Sequence, residues 1–225
     1  MRRENVLILL LVIVKFSLPF LLQHPAYELH RDEYLYYEQG QHLALGFLEN
    51  PPLIGLLAWI SSLFGGGYFW IKCWPALFGA ITLWLTILIV KEFGGKLLAQ
   101  LLAGLGIIFT AYLRIHFLFQ PNFLDIFFWT LSAYFLVRFI NSNNTRYIFF
   151  LAVSLALGWY SKYSVLFFIA ALLFALLLTY HRSLFFKKQF WVAFALGFVL
   201  IVPNLLWQYF HNWPLFYHMK ELQET

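Results

Sequence analysis

The sequence predicts an all-α fold, a polytopic bundle of transmembrane helices, and three observations carry that prediction. Apolar residues make up 62% of the 225 and charged residues only 11%, whereas soluble domains are about a quarter charged. Aromatic residues reach 22%, Phe alone contributing 27. Apolar runs near the length of a bilayer span recur along the chain, and backbone polar groups inside lipid are satisfied within helices.

Other classes are excluded by the same numbers. A net charge of +5 and a pI near 9.3 could suit nucleic acid, but the basic residues are scattered at segment ends and form no patch. Membrane lipids are therefore expected partners, and nucleic acid is not. A single cysteine, Cys73, rules out an internal disulfide.

In chain order, Met-Arg-Arg precedes the first apolar run, Val6–Leu22. A secretory signal would look similar, but Lys15 interrupts the run and no small-x-small cleavage site follows, so an uncleaved span is expected. Residues 23–70 form a first external loop rich in polar groups. Its stretch His24 to Leu53, HPAYELHRDEYLYYEQGQHLALGFLENPPL, holds Glu28, Asp32, Glu33, Glu38 and Glu49, five of the ten acids. A connection of that length is functional or disordered, and its aromatics argue against disorder. Glu33–Leu45 is expected as an interfacial helix with Asp32 near its N-cap. Leu53–Phe64 is too short to span comfortably and reads as a second interfacial or re-entrant helix, ended by Gly65-Gly66-Gly67.

Six further spans are expected at Ile71–Val90, Leu97–Tyr112, Asp125–Ile140, Tyr147–Ser161, Tyr163–Tyr180 and Phe190–Trp207, about seven in all. Gly94-Gly95 and Asn141–Thr145 are tight turns. Arg114 to Asp125, RIHFLFQPNFLD, is the second polar cluster on the side of the first loop. After Pro203 the chain runs into a polar ending, Lys220–Thr225, without closing a recognisable unit, as if arrested. No repeat stands out, and residues 1–225 read as a single membrane domain.

With the N-terminus cytoplasmic, Arg2, Arg3, Lys91, Lys96, Arg138, Arg146, Arg182, Lys187 and Lys188 lie inside, and Arg31, Lys72, Arg114, Lys162 and Lys220 outside. That excess supports a multi-pass protein of the cell (inner) membrane with its first loop on the periplasmic or external side.

Several residues could carry chemistry, each with a plainer alternative. Asp32-Glu33 reads as a cap and a solvated acid, or as a carboxylate held at the membrane surface as a base. Asp125 reads as an N-cap behind Pro121-Asn122, or as a functional near-membrane acid. Lys162 reads as a snorkelling lysine or as a phosphate contact. Lys15, mid-span, is assigned no role. His24, His30 and His42 among the acids are of the right kind for a divalent metal, but no His-Glu-x-x-His pattern or cysteine partner accompanies them. Solvent-facing histidines are the stronger expectation, and no cofactor is assigned.

The Asp-Glu pair with its aromatics (DEYLYY), Gly46 and Glu49-Asn50-Pro51-Pro52-Leu53 resemble the first external loop of membrane glycosyltransferases that use polyprenyl-phosphate sugars. These GT-C-type enzymes include protein O-mannosyltransferases, lipid A aminoarabinose transferases and lipopolysaccharide galacturonosyltransferases. The likeness continues through Trp74-Pro75-Ala76-Leu77, Phe93-Gly94-Gly95, Asp125 and Gly158 to Lys162 (GWYSK), in order over most of the chain. Members are commonly longer, with further spans and an external C-terminal portion, so the resemblance places this chain as the N-terminal part of such a fold.

The resemblance implies a transferase that moves a sugar from a polyprenyl-phosphate donor to a lipid, glycan or protein acceptor outside. Glycosidases need an acid to protonate a poor leaving group. A polyprenyl phosphate leaves as a stabilised anion, so one base suffices, assigned to Asp32. Cations must offset the phosphate; Arg31, Arg114, Lys162 and His116 are candidates. Glu33, Glu49, Arg114, Asp125 and Lys162 are the expected substrate-binding set. Asn50 stands where many members carry a lysine, which removes one expected phosphate contact. Two competing readings are a lipid-linked-sugar transporter or flippase and a truncated, non-catalytic membrane partner. Acids at the outer edge and the lack of a repeat weigh against a transporter.

Overall fold

The computed structural model describes residues 3–24, 26 and 28–224, and every regular element among them is helical. The elements are α1 (Arg3–Leu22), α2 (Arg31–Gln39), α3 (Leu53–Leu63), α4 (Tyr68–Glu92), α5 (Leu97–Ile108), α6 (Tyr112–Ile115) and α7 (Pro121–Ser142). There follow α8 (Arg146–Ser161), α9 (Val165–Leu178), a 3₁₀ segment (Tyr180–Phe186), α10 (Lys188–Phe210) and α11 (Pro214–Glu224). Arg2, in the charge tally, and Thr225, in the polar tail, lie outside the described residues.

All seven expected apolar segments are helical, but their lengths differ from expectation. Among the described residues only α1, α4, α7 and α10 are long and apolar enough to cross a membrane alone, and α9 with the 3₁₀ segment, bent by 108°, makes at most a fifth span. α5 has 12 residues and α8 has 16, about 18 and 24 Å of rise. The expected count of about seven spans is therefore not reached on length alone: four or five segments are long enough, and α5 and α8 are shorter helices packed beside them. Apolar side chains also cover the outside: Leu10 and Ile13 of α1, Phe167 and Phe174 of α9, and Phe198 and Val199 of α10 are all exposed. A bundle that is apolar inside and out is one that hydrocarbon surrounds.

α4 is central, packing against α1, α5 and α7; α8 continues the row between α7 and α10. The short connections 93–96, 143–145 and 162–164 make successive helices antiparallel, so the bundle has two ends. One, the Asp32 end, carries the first loop, residues 109–120 and 162–164. At the other, Arg138 donates to Glu92 Oε1 at 2.6 Å and to the Tyr147 hydroxyl at 2.6 Å, while the Asn141 amide donates to the Glu92 carbonyl at 2.9 Å. That cluster ties together the end of α4, the end of α7 and the start of α8.

The first loop departs from expectation in one respect. Its helix starts at Arg31, capped by His30, and stops at Gln39, so Asp32 lies inside the first turn and residues 40–52 are irregular. The His30 ring accepts the Asp32 N–H at 3.3 Å and the Glu33 carboxylate accepts the His30 N–H at 2.8 Å, a reciprocal capping box. α3 ends as expected at the glycine run. Gly65 and Gly66 take φ of 94° and 64°, which residues without a Cβ adopt at little cost. α7 is capped by Gln120 with Pro121 behind it, and Asp125 lies one turn in, not at the cap.

Candidate functional site

Three polar clamps hold the loop onto the bundle. The first is the carboxylate of Glu33, which is fully buried, as is its partner Lys72. Lys72 Nζ donates to both Glu33 oxygens, at 2.5 and 2.7 Å, and to the Phe117 carbonyl at 3.2 Å. The Phe119 N–H donates to Glu33 Oε1 at 2.7 Å. A buried ion pair persists only with its remaining valences satisfied, and here the backbone of His30 and Phe119 satisfies them. The second clamp is a reciprocal amide pair, Gln39 with Asn50, at 3.0 and 3.1 Å. In the third, Asn204 of α10 donates to the Leu45 carbonyl at 2.6 Å and accepts from the Trp159 indole at 2.7 Å and the Tyr163 hydroxyl at 3.2 Å. Gly46 lies so close to Trp207 that a Cβ would sit 2.5 Å from its ring.

These clamps place Asp32 against the segment that leads into α7. Gln120 Nε2 donates to Asp32 Oδ2 at 2.9 Å and the Arg31 guanidinium approaches Oδ1 at 3.3 Å. The Asp32 side chain keeps 33% of its surface accessible, enough to meet a ligand while held from two sides. Beside it, burial and the charges of Asp32 and Glu49 push the Tyr36 hydroxyl up to about 12, so Tyr36 remains a proton donor at every physiological pH.

From Gln120 the polar contacts continue across the Asp32 end. Asn122 Nδ2 donates to Gln120 Oε1 at 3.4 Å, and Lys162 Nζ donates to Asn122 Oδ1 at 2.6 Å. Asp125, one helical turn past Pro121, accepts the Ser164 hydroxyl at 2.7 Å. Its other oxygen, Oδ1, is buried without a hydrogen-bond partner among the described residues; the Trp129 indole N–H faces the same carboxylate without closing a bond. Lys162 acts on Asp125 through its charge. Asp32, Asp125 and Lys162 thus share one polar crevice at the ends of α2, α7, α8 and α9. An unmet acceptor, a lysine and a partly accessible carboxylate there can bind an anion and a hydroxyl together.

The other expected residues stand apart from it. The Glu33 oxygens are taken up by Lys72 and two backbone donors, which makes this residue part of the scaffold. Glu49 is exposed and reaches the crevice only through its charge on Tyr36. Arg114 is exposed on α6 beside Leu22 and Phe117, joined to none of the crevice residues by a hydrogen bond or ion pair. Among the described residues no group of three or more His, Cys, Asp or Glu could hold a metal ion.

Gln120 and Asn122 carry no sequence signal beyond their place in RIHFLFQPNFLD, and Lys72, an outer basic residue in the charge pattern, is paired with Glu33 in the interior. Lys15 is likewise fully buried. It donates to the Ile107 and Tyr112 carbonyls at 3.4 and 3.3 Å, where α5 breaks off. A charge inside an apolar run requires a partner, and that signal was present for both lysines.

Below the crevice lies an apolar cavity of about 280 Å³ between α7, α8, α9 and α10, lined by residues that include Leu136, Leu151, Leu173, Ala193 and Gly197. Its walls reach Trp159 and Leu166, one turn to either side of Lys162.

A family model described as dolichyl-phosphate-mannose-protein mannosyltransferase matches residues 49–207. That is well over half of the chain. Arg114, Asp125 and Lys162 fall inside the matched segment, while Asp32 and Glu33 precede it. No curated protein and no solved structure matches the chain.

Proposed function

The chain belongs to the dolichyl-phosphate-mannose-protein mannosyltransferase family and is a membrane glycosyltransferase of the GT-C type; from that premise we propose that it transfers one sugar from a polyprenyl-phosphate donor to a hydroxyl acceptor at the Asp32 end. In this reading Asp32 is the general base. It takes the proton of the acceptor hydroxyl as the oxygen bonds to the anomeric carbon. The bond from that carbon to the phosphate oxygen breaks, and its electron pair leaves with the polyprenyl phosphate. A single displacement of this kind inverts the anomeric centre. Lys162 offsets the phosphate charge, and Asp125 with Ser164 orients the sugar. Glu33 and Lys72 hold Asp32 in place without touching substrate. The cavity below Lys162 offers an apolar path for the isoprenoid tail, and the acceptor is a lipid, glycan or protein on the periplasmic or external side.

The observation that carries this reading is the crevice itself. A partly accessible aspartate on the first loop and a lysine at the α8–α9 turn are brought together across 130 residues of sequence by Gln120 and Asn122. A transporter would place its acids near the bilayer midplane, and these lie at the helix ends. Asp32→Asn, which keeps the shape but reduces the Gln120 contact to a weaker, neutral hydrogen bond, is expected to lower transfer in isolated membranes by about 10²-fold or more while leaving the amount of inserted protein unchanged. Equal transfer by variant and parent would remove Asp32 from its role.

A further inference from the structure

The side-chain contacts between Lys162 and Asp32 all run in one direction. Lys162 Nζ donates to Asn122 Oδ1 (2.6 Å), Asn122 Nδ2 donates to Gln120 Oε1 (3.4 Å), and Gln120 Nε2 donates to Asp32 Oδ2 (2.9 Å). An ammonium can only donate and a carboxylate can only accept. The charges at the two ends therefore fix how both amides are turned. Flipping Asn122 would set donor against donor at Lys162, and flipping Gln120 would set acceptor against acceptor at Asp32. Both amides sit on the rigid start of α7, with Gln120 as its cap and Asn122 next to Pro121.

We propose that Gln120 and Asn122 are positioning residues that make the freedom of the base depend on arrival of the donor. This rests on the reading of Lys162 as the cation for the donor phosphate. Before the donor binds, the oriented amides hold one oxygen of Asp32. A phosphate that takes Lys162 offers a charge-assisted bond stronger than the neutral one to Asn122. Asn122 is then released from the cation and free to turn, Gln120 loses its donor at Oε1 and is held by Asp32 alone, and that weakened contact yields Asp32 Oδ2 to the acceptor hydroxyl. The site is thereby protected from an acceptor, or water, engaging the base when no donor is present. Binding is ordered, donor before acceptor.

Linkage supplies the test, because a coupling between two sites is reciprocal. If phosphate at Lys162 loosens Asp32, then neutralising Asp32 alters phosphate affinity, and it does so through the amides. The full chain in detergent is titrated with undecaprenyl phosphate, followed by tryptophan fluorescence, for the parent, Asp32→Asn, Gln120→Ala and the double variant. Asp32→Asn is expected to tighten phosphate binding by about threefold to tenfold, the worth of one hydrogen bond. Once Gln120→Ala has cut the chain, the same change is expected to have no further effect. A through-space charge effect would persist in both backgrounds, and that result overturns the inference, as does an Asp32 change with no effect at all. Lys162→Ala separates the two levels. Binding that this variant does not weaken removes both the phosphate reading and the inference, whereas binding that needs Lys162 but is uncoupled from Asp32 removes the inference alone. Gln120→Glu, close in size and shape, sets a second carboxylate against Asp32 and is expected to uncouple in the same way as Gln120→Ala. Preserved coupling in Gln120→Glu overturns the inference.

Discussion

Lys15, Lys72 and His116 are fully enclosed, and each meets burial differently. Lys15 donates to the Ile107 carbonyl in the last turn of α5, where the helix dipole favours a cation, and to the Tyr112 carbonyl of α6. Lys72 meets the carboxylate of Glu33. His116 has neither solution: both ring nitrogens lack a hydrogen-bond partner among the described residues. Burial, with the nearby Lys15 ammonium adding to it, holds the imidazole down to about 3 from a usual 6.5. The folded protein therefore refuses a proton that the unfolded chain takes up once the pH drops below about 6.5. Stability contributed by neutral His116 is complete above that pH and is lost as the pH falls from 6.5 toward 3. His116→Leu is expected to flatten the fall in thermal midpoint between pH 7.5 and 5 in detergent. A variant whose midpoint falls as steeply as the parent's would show that other groups set the acid limit.

At the scale of elements, α2 is the piece whose position matters most, and its own sequence does little to fix it. Nine residues make a marginal helix in isolation; the capping box and the Glu33–Lys72 pair hold it. Removing one partner of a buried pair strands the other and costs about 3–5 kcal/mol. Glu33→Gln and Lys72→Met are each expected to lower the thermal midpoint and to lower transfer with it. Exchanging the pair, Glu33→Lys with Lys72→Glu, is expected not to restore either property. The His30 and Phe119 N–H groups need an acceptor at position 33, and an ammonium has none to give. Recovery of the midpoint in the exchanged variant would show that charge alone, without the backbone donors, seats the helix.

Across the whole molecule, the two ends of the bundle differ in kind. The Glu92 end is a compact structural cluster of Glu92, Arg138, Asn141 and Tyr147, whereas the Asp32 end carries an accessible carboxylate and an unmet acceptor. The proposed orientation puts the first end in the cytoplasm. In a Cys73→Ser background, a cysteine at the exposed His42 position is expected to react with a membrane-impermeant maleimide in intact cells. One at the exposed Asn144 position is expected to react only after the membrane is opened. The opposite pattern would invert the topology and move the proposed chemistry to the cytoplasmic side.

Composition and periodicity alone determined a helical membrane bundle, the sites of its turns and the concentration of acids in one loop, because burying backbone in hydrocarbon leaves the chain few alternatives. The span count was less legible. α5 breaks at Phe109, next to the Ile107 carbonyl that Lys15 meets from 92 residues earlier, and α9 bends at Thr179. The residues of the crevice were legible as candidates but not as partners. Asp32 and Glu33 are adjacent and chemically alike, yet one faces the crevice and the other is spent on Lys72. That division follows from which way each side chain leaves a helix whose seat is set by contacts 39 to 88 residues away. Sequence can say that a charge in an apolar run needs a partner; only the packing of helices in three dimensions decides which partner it meets.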